Sequence, residues 1–315
     1  APSPDIMNKL ARSVLALYSY DENPDDTSLE NVLRQCISII AQIPVIMVYA
    51  YQVKRRHYYK KSMYIHPIKP EHTTAQAVLG SIRADKTFTD EEAKLLDTCL
   101  MVHAEHGGGN NSTFATRVLT SSGTDTYSAI AAGIGALKGP KHGGANIKVA
   151  QMVDFIRNDV ADINDEGQVA DYLRKIIQKE GGDRSGLIYG MGHAVYTISD
   201  PRAKILREQA GKFAAGTEFE EEFHLLNSIE KLTPAIFAEF KGERKNICAN
   251  VDLYSGLVYK MLRIPPDLFT PIFTIARVAG WSAHRIEELL TGGRIIRPAY
   301  KNINTAGLYV PITER

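Results

Sequence analysis

Three histidines of this 315-residue chain stand in glycine-rich turns, each close to groups that handle anions. The most informative stretch is Gly190-Met-Gly-His193-Ala-Val-Tyr-Thr-Ile-Ser-Asp200-Pro-Arg202, in which an arginine follows the histidine behind Asp-Pro. Glycines let backbone approach a ligand closely, and a guanidinium pairs with carboxylates through two parallel hydrogen bonds. A second block, Gly139-Pro-Lys-His142-Gly-Gly-Ala-Asn146, places a histidine just ahead of a helical pattern. The positive end of a helix disfavours imidazolium there, and a neutral imidazole can donate a hydrogen bond to a carbonyl that is becoming an enolate. A third, His103-Ala-Glu-His106-Gly-Gly-Gly-Asn110, ends a helical pattern in a ligand-binding type of turn. A fourth, Asn250-Val-Asp252-Leu-Tyr-Ser-Gly256, supplies a carboxylate suited to act as a general base. Histidines set in glycine, arginines and one aspartate together suggest acid/base work on a small anionic substrate.

Each block also has a plainer reading. His142 could cap or terminate a turn, Arg202 could be solvated, and Asp252 could cap the helix that follows it. His103 could simply pack on its helix. His103 and His106, three apart, could serve as metal ligands, but no cysteine or carboxylate other than Glu105 lies at ligand spacing, so metal binding is not expected. Arg277 lies in an otherwise apolar run, Thr274-Ile-Ala-Arg277-Val-Ala-Gly280, so it must meet an internal carboxylate or bind a ligand anion. Arg297 precedes a proline in an extended tail and could be exposed.

The elements that must position these groups are helical. Thr27-Ser-Leu-Glu30 and Thr89-Asp-Glu-Glu92 read as capping boxes. Leu29, Val32, Leu33, Cys36, Ile37 and Ile40 follow helical spacing after the first, and Leu95, Leu96, Cys99 and Leu100 after the second. Thr233-Pro234 and Thr270-Pro271 place proline at a first helical position. The latter helix is expected to run through Val278, with a successor that stops at Gly292-Gly293. The apolar stretch from Cys36 to Tyr51 predicts a buried helix kinked near Pro44, short of a bilayer span. Strand signals are sparse, no repeat period appears, and no glycine-rich nucleotide fingerprint follows a strand. The expected fold class is all-α.

Composition bounds the partners. The chain is 44% hydrophobic and 23% charged with a net charge of +1, ordinary for a globular protein. Nucleic acid and anionic membrane are not suggested as partners. Cys36, Cys99 and Cys248 lie far apart without a CxxC pair, which fits buried, reduced thiols in a cytoplasmic protein. The start, Ala-Pro-Ser-Pro, has neither signal-peptide nor transit-peptide character.

From about Thr89 onward the four blocks, taken in order, resemble the citrate synthase family, most specifically in the Gly-His-x-Val-Tyr…Asp-Pro-Arg segment. The resemblance implies a large helical domain, residues 1–138 and 252–315, with an inserted smaller domain, residues 139–251, that closes over the site. It also implies a homodimer that condenses acetyl-CoA with oxaloacetate and water to give citrate and CoA, as a tricarboxylic acid cycle enzyme does, with no metal and no cofactor beyond the acyl-CoA co-substrate. Carried over residue by residue, Asp252 would remove the methyl proton, His142 would hydrogen-bond the thioester oxygen, and His193 would polarise and protonate the oxaloacetate carbonyl. Arg202, Arg277 and, from the partner subunit, Arg297 would hold the carboxylates, with His106 and Asn110 adding hydrogen bonds. The chain departs from the family pattern at Gly107, where the family usually has Glu after the histidine, and at Ala299, where many relatives carry Arg.

Three rivals remain at this stage. A 2-methylcitrate synthase would use propionyl-CoA through the same mechanism, and one methylene is worth only about 1–3 kcal/mol of discrimination. A non-catalytic ligand-binding helical dimer would require one of His142, His193 or Asp252 to be missing or displaced. A serine hydrolase is disfavoured because no Gly-x-Ser-x-Gly elbow is present.

Overall fold

The computed structural model describes residues 1–193, 195–196, 198–241, 247–301 and 309–314. Among them are twelve α-helices and no strand beyond one isolated bridge, Met191 with Ala249, so the chain is all-α. In order they are α1 (Ile6–Leu17), α2 (Leu29–His57), α3 (Thr74–Ile82), α4 (Asp90–His103), α5 (Asn111–Ser121), α6 (Thr126–Leu137), α7 (Ala145–Asp159), α8 (Glu166–Ile177), α9 (Pro201–Ala214), α10 (Glu220–Lys241), α11 (Asp252–Met261) and α12 (Phe269–Thr291).

The helices form two packed groups. In one, α12 lies against α2, α4, α5 and α6, α1 packs on α2 and α6, and α3 bridges α2 and α4. In the other, α8 packs on α10, and α11 is held between α7 and α9. The groups meet where α4 touches α9 and α11, and where α12 touches α7. One contiguous apolar core runs through both, from Leu10 and Ile43 on one side to Leu173, Leu206 and Leu257 on the other. The site residues cluster around the junction.

Helix starts follow local chemistry in most places. The Thr89–Glu92 capping box forms with both bonds made, and so does an unanticipated one, Thr73 with Gln76. The expected box at Thr27 does not: Ser28 occupies the N-cap without a side-chain bond, its hydroxyl being drawn to Asp26 instead. Pro234 does not open a helix but sits inside α10, and Thr233 just before it turns its hydroxyl back to the Ile229 carbonyl. Pro271 lies in the first turn of α12, where its missing N–H leaves no intrahelical bond unmade. The expected two helices after it are one, unbroken to the Gly292 cap, because Gly280 is buried in a helix–loop contact rather than ending the helix.

Helix α2 is longer than its apolar stretch and continuous across Pro44; by length and composition it could cross a membrane. In this fold Ile39, Ile43 and Met47 bury its inner face against neighbouring helices. A polar anchor also holds this group together. The fully buried Arg285 of α12 donates to Thr126 Oγ1 at 3.0 Å, Thr120 Oγ1 at 3.2 Å and the Thr124 carbonyl at 2.9 Å. Leaving a buried cation's donors unsatisfied is costly, and here hydroxyls and a carbonyl satisfy them with no carboxylate paired among the described residues.

A candidate active site at the junction of the two groups

The His193 turn and the approach to Asp252 are fastened to one another. Gly192 N–H donates to the Cys248 carbonyl at 2.7 Å, Asn250 N–H to the Gly190 carbonyl at 2.9 Å, and Asn250 Nδ2 to the Gly192 carbonyl at 2.9 Å. Gly190 is required here: its φ is +81°, and a Cβ would lie 2.9 Å from Leu253 Cα. Asp252 therefore opens α11 at a fixed distance from His193, although 58 residues separate the paired Asn250 and Gly192.

His193 has a determined tautomer. Its Nδ1 accepts from the backbone N–H groups of Val195 and Tyr196, both at 3.0 Å. In the neutral ring the proton must then be on Nε2. That nitrogen lies 2.7 Å from His106 Nε2 and 3.3 Å from Arg202 Nη2. His106 is consequently the acceptor of the pair, with its own proton on Nδ1. Both imidazoles are held neutral: burial lowers each pKa, reinforced at His106 by Arg202 and at His193 by His106.

Arg202 is aimed by Asp200. Its Nε and Nη2 donate to the two oxygens of that buried carboxylate at 3.0 and 2.7 Å, while Asp200 Oδ1 also caps the Arg202 N–H. Burial pushes the Asp200 pKa up, but the arginine pair more than offsets it and holds it below the usual range. Asp-Pro-Arg is thus a helix start and a guanidinium mount in one.

Arg277 is fully buried. Its Nε donates to the His103 carbonyl at 2.6 Å and Nη1 to Asn110 Oδ1 at 3.3 Å, and it stacks over Phe273 at 4.7 Å. No carboxylate pairs with it, and Nη2 has no hydrogen-bond partner among the described residues. Desolvation brings its pKa down to about 10, so it is still a cation at neutral pH. Of the two sequence alternatives for Arg277, a directly paired internal carboxylate is not found among the described residues, which leaves a buried cation with an open donor. Its field reaches His103, His106, His142 and Asp252, so these groups share one locale.

His142 lies in the turn before α7, three residues ahead of the helix, and its pKa falls to about 4. Burial is the main cause, with Arg277 and His106 adding to it, rather than the helix end. Its Nε2 lies 3.0 Å from Ser112 Oγ. Ser112 is fully buried, accepts from Trp281 Nε1 at 3.1 Å, and lies 2.9 Å from Asn110 Oδ1. Its single proton serves either Asn110 or His142. Directed at His142, it leaves the proton of that ring on Nδ1, which is then its donor.

Asp252 has the opposite perturbation. Burial raises its pKa to about 6 against the pull of Arg202 and Arg277, and no side-chain donor bonds its carboxylate among the described residues. His103 is structural: it is fully buried, donates from Nδ1 to the Cys99 carbonyl at 2.7 Å, and burial takes its pKa to about 3. No group of three His, Cys, Asp or Glu side chains able to hold a metal occurs among the described residues.

Arg297 is not brought to this cluster by its own chain. It is exposed in the segment after α12, which is pinned by Ile296 N–H to Ser121 Oγ at 3.0 Å. Residues 302–308 of the expected extended tail lie outside the described residues. Two contributors escaped the sequence reading, Ser112 and the Asp200 carboxylate. Ser112 follows Asn110 by two residues in the first turn of α5, where a side chain faces the preceding loop, and that spacing is the signal that could have found it.

The family model for the citrate synthase C-terminal domain matches residues 1–299. The chain belongs to the citrate synthase family. It is 43% identical over 224 residues to the citrate synthase of a Synechocystis species, a match covering 71% of this chain and 52% of that protein. It is 32% identical to 2-methylcitrate synthase 1 of Corynebacterium glutamicum, across 98% of this chain and 75% of the relative. The chain thus spans between about half and three quarters of these family members' length. Among solved structures, citrate synthase of Thermoplasma acidophilum in a ternary complex with carboxymethyl coenzyme A and oxaloacetate aligns with a TM-score of 0.79. That alignment has 29% identity and covers 99% of this chain and 76% of the family member.

Proposed function

We propose that the chain condenses acetyl-CoA with oxaloacetate and water to give citrate and CoA. The observation that carries this reading is the pairing of opposite perturbations around one open cation. Asp252 is a carboxylate pushed up to about 6, His142 an imidazole pushed down to about 4, and Arg277, whose charge acts on both, has a donor to spare. A weak carbon acid needs a base and a hydrogen-bond donor acting together, and these two shifts supply both at neutral pH.

The steps follow from the donors. Oxaloacetate, a dianion, would take one carboxylate at Arg277 Nη2 and another near Arg202, with His106 and Asn110 beside them. Asp252 would accept the methyl proton of the thioester while His142 donates a hydrogen bond to its oxygen, giving the enolate. The enolate carbon would then attack the ketone carbon of oxaloacetate, restoring the thioester carbonyl, as His193 Nε2–H passes its proton to the ketone oxygen; the proton taken by Asp252 returns to His193 through solvent. Water would cleave the resulting thioester to citrate and CoA. In this chemistry the acyl-CoA is a co-substrate, and the residues named need neither metal nor cofactor.

A unit starting near residue 139 and extending past the expected boundary at 251 to include α11 would close on the remainder to assemble the site, one hinge lying in the glycines around His142. Because α11 packs chiefly on α7 and α9, we place the second hinge after it, between Leu262 and Pro266. The same reading makes the protein a cytoplasmic homodimer. Supporting the dimer, Leu33 and Ile37 are exposed on α2, and the tail leaves Tyr300 93% and Ile312 81% exposed. Arg297 would then reach the partner's site.

The deciding assay is release of CoA thiol with oxaloacetate, comparing acetyl-CoA with propionyl-CoA. Faster oxaloacetate-dependent release from acetyl-CoA supports the proposal. Preference for propionyl-CoA would make the protein a 2-methylcitrate synthase, and no release from either would leave a ligand-binding dimer.

A further inference from the structure

We infer that Glu105 is a positioning residue that holds the His106 turn in its substrate-facing shape, and that His284 of α12 holds Glu105. The inference rests on the activity proposed above. Glu105 Oε1 accepts the backbone N–H of His106 at 2.7 Å and that of Gly107, and lies 3.0 Å from His284 Nε2. The other ring nitrogen of His284 lies 2.9 Å from Glu287 Oε2. One carboxylate oxygen therefore ties two consecutive amides of the turn to α12.

The helix is built to admit this contact. A Cβ at Gly280 would stand 2.5 Å from Glu105 Oε2 and collide with the Ala104 carbonyl. Beyond the clamp, Gly108 packs toward Arg117, itself paired with Glu288 of α12 at 2.9 Å. The need for a clamp comes from the sequence. Three consecutive glycines, Gly107 to Gly109, connect His106 to Asn110, and Gly107 takes φ +83°. Such a run loses more conformational freedom on ordering than any other. Without an external anchor His106 would not stay 2.7 Å from His193.

A rival role is purely electrostatic. Glu105 is the first charge that supports the cationic form of Arg277, so it could act as a counter-charge that oxaloacetate must outcompete. The two roles predict opposite behaviour of Glu105→Gln. A glutamine keeps a carbonyl oxygen for the two amides and removes the charge. The clamp predicts near wild-type behaviour, whereas a counter-charge predicts tighter oxaloacetate binding. The side chain of Glu105 is 45% exposed, so Glu105→Ala creates no cavity and should fold.

The experiment measures two things on wild type, Glu105→Gln, Glu105→Ala and His284→Ala: hydrogen exchange at the His106 and Gly107 amides, and KM and kcat against oxaloacetate. For Glu105→Ala, exchange at both amides should speed up about tenfold or more, and KM should rise at least about fivefold with kcat within about threefold. Glu105→Gln should restore both, and His284→Ala should move both in the alanine direction by a smaller factor. Unchanged exchange or KM in Glu105→Ala overturns the clamp, as does a Glu105→Gln that is as impaired as alanine or that lowers KM. If wild type shows no oxaloacetate-dependent turnover, the activity proposal fails instead, and amide exchange still decides the clamp.

Discussion

His106 and His193 face each other through their Nε2 atoms at 2.7 Å, with His193 the donor and His106 the acceptor. In the proposed reaction that same His193 proton belongs to the oxaloacetate ketone. The substrate must therefore replace one imidazole as the acceptor and leave the other to bind a carboxylate or hydroxyl. His193→Ala should lower kcat by about 10²–10⁴, the usual yield of a positioned acid. His106→Ala should mainly raise the oxaloacetate KM, since the His193 tautomer is set by backbone amides and survives. Steady-state kinetics separates them; equal losses in kcat for both variants would mean that the pair acts as one unit.

Asp252 should set the acid limb of the rate profile. It must be ionised to act, and its pKa is raised to about 6, whereas His142, at about 4, is already neutral there. Thus kcat/KM should fall about tenfold per unit below pH 6. The folded state binds this proton more tightly than the unfolded chain, so ionising Asp252 costs stability as pH rises from about 4 to 6, and the cost persists above. Asp252→Asn should therefore abolish condensation yet be about 1–3 kcal/mol more stable at pH 8, an advantage that vanishes near pH 4. Urea denaturation at the two pH values measures it. Equal stabilities at both would show that the carboxylate is not desolvated.

Ser112 is the test of how His142 becomes a donor. Its oxygen accepts from Trp281 and lies within bonding distance of Asn110 Oδ1 and His142 Nε2, and the proposed role requires its one proton to be directed into His142 Nε2. Ser112→Ala should cut kcat about tenfold or more and destabilise the fold by about 1–3 kcal/mol, because Trp281 Nε1 is left buried without its acceptor. Ser112→Thr, which keeps the hydroxyl, should recover more of the rate than Ser112→Cys. A wild-type kcat in the alanine variant would remove Ser112 from the mechanism.

What the sequence made legible was local. Each histidine block carries its own turn glycines, and Asp-Pro-Arg carries its own cap, so type and spacing were enough to nominate His106, His142, His193, Arg202 and Asp252 as candidates. Arg277 was legible as a charge in an apolar run, but its meaning depended on whether a carboxylate faced it, which no local pattern contains. The same limit hid Ser112 and the Glu105–His284 contact, whose partners are 30 and 179 residues away. Helix ends were misjudged where tertiary packing outweighed a local signal. Pro234 is carried inside α10, and the buried Gly280 lets one helix continue where two were expected.

Arg297 offers a test of the dimer that activity alone cannot give. It is exposed and makes no bond within the described residues of its own chain, and the proposed function has it reach oxaloacetate across a subunit boundary. Arg297→Ala should raise the oxaloacetate KM while light scattering still reports a dimer. Mixing it with Asp252→Asn subunits under exchange is more decisive. Each mixed dimer then contains one site with the intact Asp252 of the first chain and the intact Arg297 of the second. Random exchange should restore about one quarter of the sites to wild-type KM, since half the dimers are mixed and each repairs one site of two. If Arg297 acted within its own chain, or not at all on oxaloacetate, mixing would repair nothing beyond the weak activity of the parent variant.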